Sequence, residues 1–150
     1  MARRGREEAA DLGDDRRQHL QFLQDTIKRM ADNSALAKGW SLTIIVAALA
    51  YAWTNHEALV ALMGVLAAVL FTSVDARYLL AERRFRALFR AAAAGRVAVY
   101  EMDVRAVAGM RDLVATCTWR RTIWSWTVAG FHGWIVLGGV AITAWLHFRC

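Results

Sequence analysis

The chain has 150 residues, 57% of them hydrophobic, and 19 Lys and Arg residues outnumber 13 Asp and Glu residues to give a net charge of +6. The apolar residues form long uncharged runs instead of a periodic pattern, which favours a membrane protein over a soluble domain. The chain has no proline and is rich in good helix formers. The sequence therefore predicts an all-α integral membrane protein.

The charged N-terminal part divides into two segments. Residues 1–15 carry mixed charge without an apolar core, and we predict that they are disordered. Residues 16–34 are predicted to form an amphipathic cytoplasmic helix, because apolar side chains recur at three- and four-residue spacing: Leu20, Leu23, Ile27 and Met30. Asn33 and Ser34 predict the end of this helix or the N-cap of the next one.

Residues 35–150 are predicted to form a membrane domain with three transmembrane helices, at about 37–54, 58–75 and 122–148. Only three residues separate the first two, which predicts an antiparallel hairpin. The third runs for more than twenty residues without Asp, Glu, Lys or Arg, and tryptophans flank both ends. The cytoplasmic segment 76–121 is predicted to be helical, first as a continuation of the second crossing to Ala94 and then over about 97–118.

The distribution of Lys and Arg predicts the orientation. Eight precede Trp40, none lies in the 55–57 turn, ten lie between Ala76 and Arg121, and one follows Phe148. Because basic loops stay in the cytoplasm, the N-terminus should be cytoplasmic and the C-terminus outside. Abundant Ala, Arg and Val hint at a GC-rich bacterium, so the expected location is the bacterial inner membrane.

His132 lies in the middle of the third crossing, where an ionisable side chain is a candidate for function because its charged form is costly in hydrocarbon. It shares a helix face with small and polar residues, and this stripe consists of Ser125, Ala129, His132, Val136, Gly139 and Thr143. The stripe either lines a pore in an oligomer or forms a helix contact in which a neutral His132 hydrogen-bonds a neighbouring helix.

A second candidate lies where the second crossing leaves the membrane. Asp75 with Arg77, and Glu82 with Arg86, would form a charged collar around the cytoplasmic opening, joined by Arg83. The alternative is a solvated surface that attracts anionic lipid. Small residues spaced by four also predict helix packing, namely Gly64, Ala68 and Thr72 on the second crossing and Thr43, Ala47, Ala50 and Thr54 on the first.

No catalytic constellation is visible. The sequence has no phosphate loop, nucleophile elbow or paired carboxylates, so we predict no enzyme and no cofactor. The four histidines are dispersed and the two cysteines, Cys117 and Cys150, form no motif, so no metal site is predicted. The arginines lack the interleaved aromatic side chains of a nucleic-acid platform, which argues against a nucleic-acid partner.

Two stretches, residues 19–50 and 73–89, carry a resemblance. The first has the pattern Gln-x-x-Ile-x-Arg-Met, then Asn-Ser and Lys-Gly-Trp, and the second has Asp-x-x-Tyr-Leu-x-x-Glu-Arg. The matching residues are Gln24, Ile27, Arg29, Met30, Asn33, Ser34, Lys38, Gly39, Trp40, Asp75, Tyr78, Leu79, Glu82 and Arg83. The chain thus resembles small bacterial inner-membrane proteins of antiphage defence loci, including SLATT-type effectors and accessory membrane proteins of CRISPR and adenosine-deaminase loci. The resemblance implies assembly into a pore that depolarises the membrane.

Two functions follow from these observations. The first is a homo-oligomer in the lipid bilayer that forms or gates an ion-conducting pore, as an effector or accessory subunit of an antiphage system. The second is a membrane-anchored adaptor that recruits a soluble defence-system protein through its cytoplasmic helices. The chain lacks room for a separate ligand-sensing domain, so any trigger is expected from another protein or nucleic acid. A transporter is less favoured, since no broken helix or internal repeat is visible.

The topology predicts that Cys117 and Cys150 lie on opposite sides of the membrane. A membrane-impermeant maleimide applied to intact spheroplasts should label the Cys117→Ser variant at Cys150, and should label the Cys150→Ser variant only after permeabilisation. Labelling of both variants under the same condition would contradict the three-crossing topology.

Overall fold

Two long antiparallel helices form the frame of the molecule. A computed structural model describes the backbone of residues 2–149 and the side chains of residues 13–126 and 128–148. Helix α1 spans Ala2–Asn55 and helix α2 spans Ala58–Ala93. The turn between them consists of two residues, and the first, His56, adopts a φ of 57°.

Short elements and a third long helix follow. They are a 3-10 turn at Val104–Val107, α3 at Arg111–Val114, α4 at Trp119–Ile123, a π-helical turn at Trp126–Gly130 and α5 at Phe131–Arg149. No strand occurs in residues 2–149, so the all-α prediction is confirmed. Three helical stretches are long and apolar enough to span a membrane, within Gly13–Asn55, Ala58–Ala93 and Arg111–Phe148.

The exposed side chains divide the molecule into two halves. The large exposed side chains are mainly apolar over residues 36–74 and 124–148, which we call the apolar half. Residues 13–35 and 75–123 form the charged half, which holds nearly all the described ionisable side chains. An exposed surface of this kind is compatible with lipid over one half and with water over the other.

The charged half has its own hydrophobic core. Leu23 of α1 packs against four residues of α2 and against Val107 of the 3-10 turn; the four are Ala87, Leu88, Ala91 and Ala92. His19 connects α1 to the segment that follows α2, because its Nε2 donates a hydrogen bond to the Glu101 carbonyl oxygen at 2.8 Å. The segment after α2 therefore folds back over the ends of both long helices.

Helix α2 ends in a glycine motif of the Schellman type. Gly95 has a φ of 68°, its N–H donates to the Ala92 carbonyl at 3.0 Å, and the N–H of Arg96 donates to the Ala91 carbonyl at 2.9 Å. Arg16 of α1 also donates to the Ala92 carbonyl, at 3.1 Å. Gly95 thus turns the chain back toward α1, where the sequence predicted the end of this helix.

The apolar half is held by close contacts between small residues and by one aromatic stack. Ala52, Ala61 and Leu146 are buried together near the α1–α2 turn. Trp53 and Trp145 stack beside them, with ring centroids 4.7 Å apart. Gly139 allows α5 to approach α2, because a Cβ at this position would lie 2.7 Å from Cγ2 of Val65.

The helix boundaries differ from the sequence prediction in three places. Helix α1 includes residues 2–15, for which disorder was predicted, and it continues through Asn33 and Ser34 without a break. Within the predicted helix over 97–118, only residues 104–107 and 111–114 are helical. The predicted crossing over 122–148 is broken, since Ser125 has an extended backbone with φ −71° and ψ 146° before the π-helical turn.

Local features explain the continuation of α1 past Asn33 and the two later breaks. Neither proline nor glycine stands near Asn33, and Ser34 directs its hydroxyl to another helix instead of capping its own. Tyr100 adopts a φ of 65° and the Asp103 side chain accepts from the Arg105 N–H, which together prevent one continuous helix after Gly95. The π-helical turn accommodates the Trp126 indole, which covers Gly130 so closely that a Cβ there would lie 3.2 Å from it.

Adjacent glycines in α5 provide a test of the α2–α5 contact. Gly139→Ala should lower the free energy of unfolding by about 1–3 kcal/mol, because the new methyl group meets Val65. Gly138→Ala should be neutral or stabilising, since Gly138 faces open space and Ala is the better helix former. Thermal unfolding of both variants in the same detergent measures the difference, and equal stabilities would show that α5 does not press on α2 here.

Candidate functional site

Asp75 lies at the boundary between the two halves and is fully buried. Ser34 Oγ donates a hydrogen bond to Asp75 Oδ1 at 2.5 Å, and Lys38 Nζ donates to the same oxygen at 2.6 Å. Lys38 Nζ also donates to Ser34 Oγ at 2.9 Å. One carboxylate oxygen of α2 is thus held by two side chains of α1.

The hairpin brings these residues together. Ser34 and Lys38 are four residues apart, so they lie on one face of α1. Ser34 and Lys38 share this face only because α1 continues as one helix through Ser34. The Lys38 side chain remains 19% exposed, whereas that of Asp75 is fully buried.

His132 brings α5 to the same carboxylate. Its side chain is buried, and Nε2 lies 3.4 Å from Asp75 Oδ2, which is an ion-pair distance when the ring is protonated. The alignment is too poor for a hydrogen bond. Among the described residues, neither ring nitrogen of His132 nor Oδ2 of Asp75 has a hydrogen-bond partner. We call Ser34, Lys38, Asp75 and His132 the Asp75 cluster.

Buried charged side chains are unusual in a contact that only packs helices against one another. Lys38 and Asp75 compensate each other's charge, which is the condition for burying either. His132 Nε2 and Asp75 Oδ2 face each other without a hydrogen bond, and His132 Nδ1 also lacks one among the described residues. An unmade hydrogen bond of a buried polar atom costs about 1–3 kcal/mol. Such atoms are equipped to take up a proton, a water molecule or a small ion.

A groove between α2 and α5 leads to this cluster. It has a volume of about 440 Å³, and His132 forms part of its wall together with Thr72, Ser73, Ala129 and Val136. Thr72 donates its hydroxyl to the Ala68 carbonyl at 2.7 Å, so its polar atom is satisfied within its own helix. The groove is therefore mostly apolar and has His132 as its ionisable group.

The structure divides the stripe predicted around His132. Ser125 lies before the break, where its hydroxyl donates to the Thr122 carbonyl at 2.7 Å, and it does not share a continuous helix with the others. Ala129, His132 and Val136 line the α2–α5 groove. Farther along α5, Gly139 packs against Val65, and Thr143 donates to the Gly139 carbonyl at 2.8 Å. The part of the stripe from Ala129 to Gly139 thus faces α2 of the same chain.

The predicted collar is only partly assembled. The Glu82–Arg86 ion pair is present, with a distance of 2.5 Å. The Asp75–Arg77 pair is wrong, because residues two apart on a helix point in nearly opposite directions, and Asp75 binds Lys38 instead. Arg83 is turned toward the segment before α5, where it donates to Thr122 Oγ1 at 3.2 Å.

Gly64 and Ala68 of α2 are buried as predicted, and the half-buried Thr72 lines the α2–α5 groove, whereas the small residues predicted for α1 are not buried. Gly64 and Ala68 are buried, and a Cβ on Gly64 would lie 3.2 Å from Ala48 Cβ of α1. The side chains predicted for the contact face of α1 are all exposed: Thr43, Ala47, Ala50 and Thr54. The buried face of α1 passes instead through Ser41, Ile45 and Ala52.

Sequence reasoning singled out Asp75 and His132 but did not connect them to Ser34 and Lys38. A signal was present in the hairpin itself. Lys38 stands 18 residues before His56 and Asp75 stands 19 residues after it. In an antiparallel hairpin these positions lie at equal depth, so the opposite charges face each other.

The comparisons with known proteins add no assignment: no protein-family model, no curated protein and no solved structure matches this chain. Within the described residues, no three His, Cys, Asp or Glu side chains are placed to share a metal ion.

A double-mutant cycle tests the Lys38–Asp75 pair. Lys38→Met should lower the free energy of unfolding by about 3–5 kcal/mol, because it leaves the fully buried Asp75 carboxylate without its cation. Asp75→Leu should cost less, because the Lys38 side chain that loses its partner is 19% exposed. The double variant should be considerably more stable than the sum of the single losses predicts. Thermal unfolding in detergent measures all four proteins.

Arg77→Ala is the matched control for this cycle. Arg77 is exposed and lies on the same helix, so its replacement should change stability by no more than about 0.5 kcal/mol. Strictly additive losses in the cycle would show that Lys38 and Asp75 do not interact.

Proposed function

We propose that this protein is an oligomeric inner-membrane protein that forms or gates an ion-conducting pore. The observation that carries the proposal is the Asp75 cluster, in which Lys38, Asp75 and His132 join three helices that are long enough to span a membrane. Ionisable side chains buried among such helices are costly, and they usually mark a path for ions or protons. Here they also retain unfilled hydrogen-bonding capacity.

The proposed orientation places the charged half in the cytoplasm. The excess of Lys and Arg before Trp40 and between residues 76 and 121 supports this arrangement. The Asp75 cluster then lies at the cytoplasmic end of the bundle. In this position it acts as an inner gate, where a change in the charge of His132 alters the contact between α5 and Asp75.

Oligomerisation is part of the proposal, because three helices alone enclose no channel. The α2–α5 groove supports it, since this groove lies beside the buried His132 and is also lined by Thr72 and Ser73. In a ring of subunits the grooves would face a common axis or a neighbouring subunit. Small residues such as Gly133 at the groove would permit a close approach of helices there.

The assignment to an antiphage system has separate support, which is the resemblance of residues 19–50 and 73–89 to defence-associated membrane proteins. Three of the matching residues, Ser34, Lys38 and Asp75, belong to the Asp75 cluster. In this setting, opening of the gate would depolarise the membrane of an infected cell.

The alternative function is a membrane-anchored adaptor. One observation favours it: the charged half has a hydrophobic core of its own around Leu23, Leu88 and Val107. A cytoplasmic unit built in this way would present a stable surface to a soluble effector complex without any conductance.

Ion flux from liposomes separates the two functions. Purified protein should conduct, and His132→Leu should change the flux by about tenfold or more, because removing one contact to a buried charge shifts a two-state gate by at least about 1.4 kcal/mol. His147→Leu is the matched control, since it makes the same replacement at an exposed position of α5 and should leave the flux unchanged.

Two further measurements complete the test. Ser125→Leu examines the other end of the predicted stripe, and unchanged flux in both Ser125→Leu and His132→Leu would remove the stripe from the conduction path. The particle mass in mild detergent tests assembly. A monomeric particle would contradict the pore, and a non-conducting oligomer that retains a soluble partner would favour the adaptor.

A further inference from the structure

A groove in the charged half is lined by three arginines of one helix. It has a volume of about 570 Å³, and its walls include Arg83, Arg86, Phe89 and Arg90 of α2, together with Gln24 of α1 and Thr116. We call it the arginine groove. The arginines stand at positions i, i+3 and i+7, so they lie along one face of α2.

The positive charge in this groove is poorly compensated. Arg86 pairs with Glu82 at 2.5 Å. Arg83 and Arg90, by contrast, donate to neutral oxygens: Arg83 to Thr122 Oγ1 at 3.2 Å and Arg90 to the Leu113 carbonyl at 3.2 Å. Among the described side chains, no carboxylate lies within ion-pair distance of either guanidinium.

A nearby arginine shows the contrasting case. Arg96 makes two hydrogen bonds to the Asp112 carboxylate, at 2.7 and 3.4 Å. These bonds hold the pKa of Asp112 below its ordinary value. The arginine groove has no such carboxylate for Arg83 or Arg90, although backbone contacts hold both guanidinium groups in place.

We propose that the arginine groove binds the phosphate group of a small phosphorylated ligand. Guanidinium groups match phosphate oxygens in geometry and in charge, and they bind them through paired hydrogen bonds. The volume lies within the range of small-molecule sites, and Phe89 and Ile27 supply an apolar wall for an organic portion. The proposal concerns binding and is independent of the pore.

The distance of the groove from the apolar half distinguishes two sources of the phosphate, a lipid headgroup and a soluble ligand. Val74 is the last exposed large apolar residue of α2 before the charged half. At 1.5 Å per residue, Arg83 and Arg90 lie about 13 and 24 Å beyond it along the helix. The headgroup layer of one leaflet is only about 5–8 Å thick. Because α2 side chains tilt back toward the membrane, Arg83 reaches a lipid phosphate but Arg90 does not. A soluble ligand fits the whole groove better.

The test is a binding titration with the full-length protein in nanodiscs of phosphatidylcholine, using inorganic pyrophosphate and ATP as probes. We expect saturable binding of both. Arg90→Gln and Arg86→Gln should each weaken it by about tenfold or more, because each removes a charge-assisted hydrogen bond. Arg84→Gln is the matched control: Arg84 is exposed on the same helix, outside the arginine groove, and should retain affinity within about twofold.

A further variant and a second lipid composition complete the test. Arg90→Lys keeps the charge but loses the planar fork, so it should bind with intermediate affinity and serves as the test if Arg90→Gln does not fold. Nanodiscs containing phosphatidylglycerol reveal the source: competition with the probes would identify a lipid headgroup as the occupant, and no competition would identify a soluble ligand. Lack of saturable binding, or an equal loss in Arg84→Gln, would overturn the site.

Discussion

The contact between Lys38 and Asp75 constrains the whole arrangement of the long helices. A carboxylate at the edge of an apolar bundle is stable only with a cation and hydrogen-bond donors around it, and Ser34 and Lys38 provide both. A slip of one residue between α1 and α2 would separate them. The pair therefore fixes the register of the hairpin more sharply than contacts between alanines and leucines do.

The Asp75 cluster and the arginine groove are joined by two elements. Helix α2 runs without a break from Asp75 through Arg83 to Arg90. In addition, Arg83 donates to the Thr116 and Arg121 carbonyl oxygens, and this segment leads directly into α5 and His132. An anion that drew Arg83 into the groove would compete with these carbonyls. Phosphate binding would then loosen the segment that positions His132 against Asp75, and this would connect the proposed ligand to the proposed gate.

The sequence determined the coarse fold because long apolar runs and the absence of proline leave few alternatives. Three stretches long and apolar enough to span a membrane, the α1–α2 hairpin and the Glu82–Arg86 pair could all be predicted. The partner of Asp75 could not, because local spacing suggested Arg77, whereas the actual partner lies 37 residues away on another helix. The irregular path over 97–118 was also missed, since it depends on contacts such as His19 to Glu101 that have no local signature.

Irregular backbone such as the break before α5 is tolerated between membrane-spanning helices only where its polar groups find partners. Here the chain supplies them: the Ser125 N–H donates to Thr122 and the Val128 N–H donates to Ser125. Trp124 and Trp126 are strongly exposed at this level, as is usual where a membrane meets water. A continuous helix would couple His132 rigidly to Arg120 and Arg121. The extended Ser125 and the π-helical turn interrupt that continuity, so the contact of His132 with Asp75 does not depend on one straight helix from Arg120.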